Sequence, residues 1–521
     1  MTSTYDATIV GGGLAGLTLA LQLRKRCPDL SIAIIERNRF PVPASAHKVG
    51  ESTVEIGAHY LSNVLGLSDQ LKQNQLPKYG LRFYFGEGHQ SVDERDELGP
   101  SRLLSIPSFQ LDRGILENDL AELVRNLDVD VFDGCKVHGI KSTEGQHHLV
   151  ARRHDGSALE LKASWVIDCA SRTSPLKRTL GLAKSNDHVV NSAWFRVPTS
   201  VRVDNFSDCP DWQSRFIENS RWLSTNHFMG QGYWVWLIPL STGATSVGIV
   251  ADPSVHPLDT FNRHDRAMQW FADNEPNLLP HIDGLEPMDF RFLKDYSHDC
   301  KQVFGAEQWA LSGEAGVFLD PFYSPGTDFI AISNTYITDL IARQSHGEPI
   351  TQRRAIYQHL FLSFYNSSLE LYQGQYPGFG DRNLMILKLI WDYTYYWGVL
   401  AFLFYRNVLT DLDLMTEFGP LLADTQRAHR KMQKNFRERA RQQIRKPGSG
   451  RFFDQYMIPI LRELNKGLAV DCERDQVGIR LRENVSKLMQ VGDLVTFRLQ
   501  SPGAPLRPDE AALIGDLQLG A

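Results

Sequence analysis

The first half of the chain alternates short apolar runs with amphipathic stretches, which is the pattern of strands followed by helices. Ala7-Thr8-Ile9-Val10 reads as a buried strand. Through Gly11 to Gly16 it leads into Leu17-Thr18-Leu19-Ala20-Leu21-Gln22-Leu23, whose spacing predicts a helix. Ser31-Ile32-Ala33-Ile34-Ile35 is a second strand. A helix is expected over 56–65, an acidic loop over 86–100, and a further helix carrying Ile115, Leu116, Leu120 and Leu123. Residues 129–137 and 147–153 read as strands separated by turn chemistry at Asp133-Gly134 and Gly145, and 165–168 as another buried strand. From 192 to 250 the alternation is that of antiparallel strands, suited to a sheet laid over a substrate. Beyond Asp328 helix signals take over. The expected architecture is α/β, with a Rossmann-like domain, an antiparallel sheet subdomain and a helical carboxy-terminal region. The core is placed at 1–340, with the subdomain at about 75–110 and 185–290, and the helical domain at 341–521.

Composition narrows this picture by exclusion. A chain of 521 residues buries a large core and suits two or three lobes. A formal charge of −6 gives no sign of nucleic-acid binding. Six scattered cysteines without a C-x-x-C pair fit a reducing, cytoplasmic setting. Met1-Thr2-Ser3-Thr4-Tyr5-Asp6 lacks a basic n-region, so no signal peptide is expected. The apolar stretch 384–405 carries Lys388 and Asp392, which argues for buried helices rather than a membrane span. His89, His227 and the pair His147-His148 lack metal-ligand spacing, so no metal site is expected.

The chemistry begins at Gly11-Gly12-Gly13-Leu14-Ala15-Gly16. This is G-x-G-x-x-G at a strand-to-helix turn. Gly11 allows the tight turn, Gly13 lets the backbone approach a pyrophosphate, and Gly16 lets helix and strand pack closely. The amides of Leu14 and Ala15, with the helix dipole behind them, suit phosphate. Glu36 ends the second strand, twenty residues past the last glycine, where an acid binds a ribose hydroxyl. A bound dinucleotide follows.

Three further segments extend the reading. Arg113 opens an R-x-x-L-x-x-x-L helix, Trp234-Val235-Trp236-Leu237-Ile238-Pro239 is a W-x-W-x-I-P run, and Phe318-Leu319-Asp320-Pro321-Phe322-Tyr323-Ser324-Pro325-Gly326 is an F-x-x-P-x-x-S-x-G run. With the glycine motif, these make residues 5–340 resemble the flavin-dependent halogenases of the flavoprotein hydroxylase fold. The helical remainder is similar only in general character. The resemblance implies FAD as the dinucleotide, with Gly11, Gly13, Leu14, Ala15, Gly16, Glu36, Arg113, Glu314 and Gly326 around it. Glu314, in Ser312-Gly313-Glu314-Ala315, stands where the family has aspartate. The resemblance also implies a halide held at Gly326 and Thr327, although Pro325 has no N–H to offer. Residues two apart on a strand share a face, so Trp234, Trp236 and Ile238 form one apolar wall, which in the family separates flavin from substrate.

Lys78, in Pro77-Lys78-Tyr79-Gly80-Leu81-Arg82-Phe83, matches the lysine these halogenases require. Its amine can hydrogen-bond hypohalous acid or form a haloamine and so aim electrophilic halogen at a ring. The alternative for any lysine is a solvated surface position. The tryptophan-halogenating branch places an acid immediately before the motif's serine; here Tyr323 precedes Ser324. An electron-rich phenol or pyrrole activates itself, so such a substrate is expected rather than tryptophan. Tyr323, Ser324, Trp391 and Tyr395 are candidate pocket residues, with a helical core as the alternative for the last two. Residues 426–446 hold nine Lys or Arg against one Glu, either as a solvated face or as a dock for an acidic carrier protein bearing the substrate. The resemblance further implies reduced FAD delivered by a separate flavin reductase, for chlorination or bromination in secondary metabolism such as antibiotic biosynthesis. Two other readings stay open: a monooxygenase or dehydrogenase of this fold without halogenation, and a non-catalytic flavoprotein that binds and matures a partner.

Overall fold

A computed structural model describes residues 3–44, 49–143, 145–216, 220–442, 447–502, 504 and 507–515. Met1, Thr2 and positions 443–446 of the basic stretch lie outside the described residues. The chain divides into two units. The first comprises Met1–Asn74, Leu111–Asp187 and Ser297–Asn366; the second comprises Gln75–Gln110, His188–Tyr296 and Ser367–Ala521. The carboxy-terminal helices thus share a unit with the segments around Lys78 and Trp234.

In the first unit the strand Ser3–Val10 runs parallel to Ile32–Ile35 on one side and to Ala158–Asp168 on the other. Asp130–Phe132 and Trp309–Leu311 extend the parallel part. Gln146–Arg153 and Cys135–Thr143 continue it antiparallel. Every residue of Ile32–Ile35 is buried, as expected of a parallel strand covered on both faces. The helix Leu14–Arg26 packs against both Arg113–Asn126 and Gly326–Ser345. The helix expected over 56–65 is Glu55–His59 continued by a π-helical turn, Tyr60–Val64.

The second unit is built on an eight-stranded sheet. Its order is Asp289–Leu293, Asn191–Val197, Thr245–Ala251, Tyr233–Pro239, Thr225–Gly230, Leu81–Phe85, Asp96–Gly99 and Phe452–Asp454. The middle strands are antiparallel as expected, but Thr225–Gly230 pairs parallel with Leu81–Phe85, and Phe452–Asp454 pairs parallel with Asp96–Gly99. One face carries Tyr84, Phe195, Phe228, Val235, Leu237, Val247 and Ile249 and packs on Trp270 and Phe271 of the helix His264–Asn274.

The acidic loop expected over 86–100 therefore contains a buried strand. Asp96 and Glu97 are buried because arginines neutralise them: Arg382 pairs with Asp96, and Arg82 and Arg221 both pair with Glu97. Residue type marked the segment as exposed, and arginine partners, one of them nearby at Arg82 and the others distant in the chain, made it interior.

No helix among the described residues is long and apolar enough to cross a membrane. Residues 384–405 instead form Arg382–Tyr395, a π-helical turn Tyr396–Ala401, and Phe402–Tyr405.

Candidate active site

The glycine turn opens the helix Leu14–Arg26, with Gly13 at the N-cap. Gly11 has φ +109°, a conformation open to glycine, and a Cβ there would stand 2.5 Å from the Cys169 carbonyl oxygen. A Cβ on Gly16 would stand 2.0 Å from the Gly11 carbonyl oxygen. These two glycines are required by the protein itself. Gly13 is different: a Cβ there would meet only Glu117 Oε1, at 3.9 Å. Room is left above Gly13, at the positive end of a helix, where a diphosphate would approach.

Glu36 is buried and accepts from the Gly12 N–H at 2.7 Å and the Asn38 N–H at 2.8 Å. Each carboxylate oxygen keeps a further lone pair for a ribose hydroxyl. Arg113 begins the helix Arg113–Asn126 and donates to the Val49 carbonyl at 2.7 Å. Sequence reasoning missed Glu117. Fully buried, it accepts from Arg113 at 2.6 Å and from the Leu14 N–H at 3.2 Å, so a carboxylate sits against the first-turn amides of the dinucleotide helix. The i,i+4 spacing of Arg113 and Glu117 on a predicted helix was the available signal.

Glu314 lies in the turn Gly313–Ala315 and accepts from the Ser171 hydroxyl. Ser171 itself has φ +51°. The longer acid thus reaches across to the turn that follows Ala158–Asp168. Glycine turn, Glu36, Arg113 and Glu314 form a donor and acceptor set that fits a flavin dinucleotide: the open space above Gly13 at the positive helix end for phosphate, carboxylates for hydroxyls.

The second helix start lies in the same unit. Asp320 caps the short turn Pro321–Tyr323 by accepting from the Phe322 N–H at 3.0 Å. Ser324 is left-handed, with φ 56° and ψ 41°, and Pro325 is the N-cap of Gly326–Ser345. A Cβ on Gly326 would meet nothing within 4 Å. The amides of Gly326 and Thr327 lie in the first turn, where no intrahelical acceptor exists. Thr327 is buried. The rings of Phe322 and Tyr323 lie 4.7 Å apart.

In the second unit Lys78 ends the strand Leu76–Lys78 and pairs with Ser108 of Ser108–Gln110. It is 2% exposed, so it is no solvated surface lysine. Trp234, Trp236 and Ile238 share one face of Tyr233–Pro239, opposite the apolar core, as the alternation required. Trp234 donates from Nε1 to Tyr376 Oη at 3.0 Å, and Trp236 to Ser246 Oγ at 3.1 Å. Their rings are 5.6 Å apart. Trp236 covers Gly248, where a Cβ would stand 2.1 Å from its ring. His227 continues the row, 5.2 Å from Trp234 and 4.7 Å from Phe83.

Trp391 and Tyr395 sit inside the helical region rather than along an open wall. Trp391 Nε1 faces His429 Nδ1 at 3.3 Å, and Tyr395 stacks on the same imidazole at 4.2 Å. Burial pushes the Tyr395 phenol up to about 12 and the His429 imidazole down to about 3, the latter helped by the nearby Lys388 charge. Lys388 is also buried, held by Asp392 at 2.8 Å and Gln433 at 2.7 Å. No group of three metal-ligating side chains occurs among the described residues.

Comparison with known proteins agrees with this geometry. Residues 4–264, half of the chain, match the family model of the FAD binding domain. A flavin-dependent halogenase of Dictyostelium discoideum, chlA, is 29% identical over 65% of this chain and 60% of its own length. The 1H-pyrrole-2-carbonyl-(peptidyl-carrier protein) chlorinase of Pseudomonas fluorescens is 27% identical over 64% of this chain and 74% of its own. The crystal structure of halogenase PltM with phloroglucinol and FAD superposes with a TM-score of 0.67 at 17% identity, covering 96% of this chain and 97% of that one. At that identity the likeness speaks for the fold alone, but it takes in the helical remainder that sequence motifs did not reach. The chain belongs to the FAD-binding domain family, and the curated relatives it resembles are flavin-dependent halogenases, of which it spans 60% of the length of the Dictyostelium enzyme.

Proposed function

We propose that the protein is a two-component flavin-dependent halogenase acting on an electron-rich aromatic ring, phenolic or pyrrolic. Bound reduced FAD, supplied by a separate reductase, provides with dioxygen the two-electron oxidant that converts halide to hypohalous acid. The amides of Gly326 and Thr327 hold the halide at the positive end of their helix. Glu36, Arg113 and the glycine turn bind and orient the dinucleotide. Trp234, Trp236 and Ile238 form the apolar wall that the resemblance to the halogenases assigns to separating flavin from substrate. Lys78 receives the electrophile, by hydrogen bonding hypohalous acid or by forming a haloamine with loss of water, and delivers X⁺ to the ring. The ring carbon then loses its proton, and the electron pair of that C–H bond restores aromaticity.

The observation that carries this reading is the burial of Lys78. Burying a lysine is costly, and Lys78 is kept interior at the position that resembles the lysine of the halogenases. A phenol or pyrrole substrate is supported by Tyr323, which leaves no carboxylate beside Ser324, and by the pyrrole-2-carbonyl chlorinase relative. General-base help is typically worth roughly two to four decades of rate, so a site without it should favour self-activated rings.

The test is turnover with FADH2, dioxygen and bromide against phenols, pyrroles and indoles, read by mass spectrometry. Brominated phenol or pyrrole, made in preference to tryptophan, is expected. Preferential tryptophan bromination would overturn the substrate class. Hydroxylated product without bromine would replace the halogenase by a monooxygenase.

A further inference from the structure

Beside the two-stranded sheet that carries Lys78 lies an exposed face that the proposed chemistry does not use. The segment from Pro100 to Pro107 runs from Asp96–Gly99 to Ser108–Gln110, and Ser108 is the strand partner of Lys78. Pro100 lies against Gly80, where a Cβ would stand 3.2 Å from its ring. Ser101 donates to Asp454 from its N–H at 2.9 Å and its hydroxyl at 2.6 Å, and the Ile106 N–H donates to Asn465 at 3.2 Å. These bonds fix the segment alongside the helix Pro459–Leu468.

The surface so formed is both cationic and apolar. The guanidinium groups of Arg102 and Arg462 each lie 5.8 Å from the ring of Tyr456. Lys466 is exposed one helical turn beyond Arg462. None of these three cations pairs with a carboxylate among the described residues, and Glu463, the acid of that helix, is taken by Lys487. Between them Leu103 is 44% exposed and Met457 62% exposed. On the basic helix Leu412–Ala440, Arg427 pairs with Asp424, Lys434 with Glu438 and Arg437 with Glu370, while Arg430 and Lys431 are exposed cations without a carboxylate partner among the described residues but without an apolar centre between them.

We propose that the face made by Arg102, Leu103, Tyr456, Met457, Arg462 and Lys466 docks an acidic carrier protein that presents the aromatic substrate to Lys78 on a flexible arm. The inference rests on the halogenase reading above. Unpaired cations around an apolar centre suit a small acidic protein, whose charges would be matched at the rim and whose apolar helix end would cover Leu103 and Met457. A polyanion such as nucleic acid fits less well, because only three cations are gathered here on a chain of net charge −6. A buried lysine is reached more easily by a thin thioester-bearing arm than by a protein surface. Two curated relatives act, by name, on pyrrole-2-carbonyl groups held by a peptidyl carrier protein.

The experiment compares two forms of one acyl group, with bromide and chemically reduced FAD. Pyrrole-2-carbonyl and dihydroxybenzoyl groups are each offered as thioesters of a peptidyl carrier protein and of free pantetheine. For the double variant Arg102→Glu/Arg462→Glu, kcat/KM on the carrier-bound acyl should fall at least about tenfold. On the pantetheine thioester it should stay within about twofold. Leu103→Ser/Met457→Ser should reproduce the split, and raising potassium sulfate should weaken carrier turnover by the wild type. Equal losses on both forms, no loss on either, or wild-type use of pantetheine thioesters alone would overturn the dock. A defect seen only when a reductase delivers the flavin would assign the face to the reductase instead. If simple phenols or pyrroles are brominated and no thioester is, the dock fails and the halogenase stands. If nothing is brominated, the halogenase reading itself has failed.

Discussion

The two units carry their candidate sites in different ways. In the first, the work is written into the backbone: glycines at Gly11 and Gly16 that tolerate no Cβ, open space above Gly13, first-turn amides at Gly326, and a helix behind each. In the second it is written into side chains: a buried lysine at the end of a short strand, two tryptophans and a histidine in a row, and arginines that allow acids inside. A backbone site is damaged by adding atoms, a side-chain site by removing them. The comparison teaches which substitutions are informative in each unit.

The largest effect is expected at Lys78. Lys78→Ala should lower halogenation by about three decades or more, equivalent to roughly 4 kcal/mol of lost transition-state stabilisation. The dissociation constant for FAD, read by fluorescence titration, should stay within about twofold. Retained halogenated product would remove Lys78 from the reaction and leave the second unit's site undefined.

Next comes Gly16→Ala, the addition that the first unit should not accept. The new Cβ would stand 2.0 Å from the Gly11 carbonyl oxygen, so helix and strand must separate. Overpacking of this kind costs about 1–3 kcal/mol, and the turn it distorts holds the diphosphate, so FAD affinity should fall along with Tm. A variant with unchanged Tm and FAD affinity would show that the turn is looser than its geometry implies.

This difference also sorts what the sequence made legible. The glycine turn, Glu36, and the shared face of Trp234 and Trp236 follow from local rules, because G-x-G-x-x-G and period-two alternation are properties of neighbouring residues. Residues 86–100 did not follow: Asp96 becomes interior through Arg382, 286 residues away, and Glu97 through Arg82 and Arg221, 15 and 124 residues away. Trp391 and Tyr395 suggested a pocket because aromatic residues cluster there. What sequence could not reveal is His429, which consumes the polar edge of one ring and the face of the other. Glu117 was hidden for a related reason, since its partner at Leu14 lies 103 residues earlier.

A smaller effect is expected from acid in the second unit. Burial first, and the Lys388 charge after it, hold the His429 imidazole at about 3 against an ordinary value of 6.5. The folded chain therefore keeps the ring neutral while the unfolded chain takes up a proton below pH 6.5. The stability this group contributes is complete above pH 6.5 and is lost as pH falls toward 3. The slope is at most about 1.4 kcal/mol per pH unit. Chemical denaturation at pH 7 and pH 5 should show a larger loss for the wild type than for His429→Gln. Equal losses would mean that the Trp391–His429–Tyr395 stack opens to solvent before the unit unfolds.

The smallest change tests the comparison where the two kinds of site come closest. Gly326 stands at a helix start like Gly16, yet a Cβ on it meets nothing within 4 Å and its φ is not positive. Gly326→Ala should leave Tm unchanged or raise it slightly, since alanine suits a helix better than glycine by up to about 1 kcal/mol. The amide remains, so the helix still offers its N–H groups. If halide rests on the Gly326 and Thr327 amides, the added methyl crowds it directly. The KM for halide should then rise by a few fold, more for bromide than for chloride because bromide is larger. The rate at saturating halide and the KM for the aromatic substrate should not move. A mutation that removes no interaction and strains no backbone, yet raises one KM alone, would mark the space above Gly326 as the halide's place. An unchanged halide KM would move the halide elsewhere and leave this open helix start as ordinary surface of the first unit.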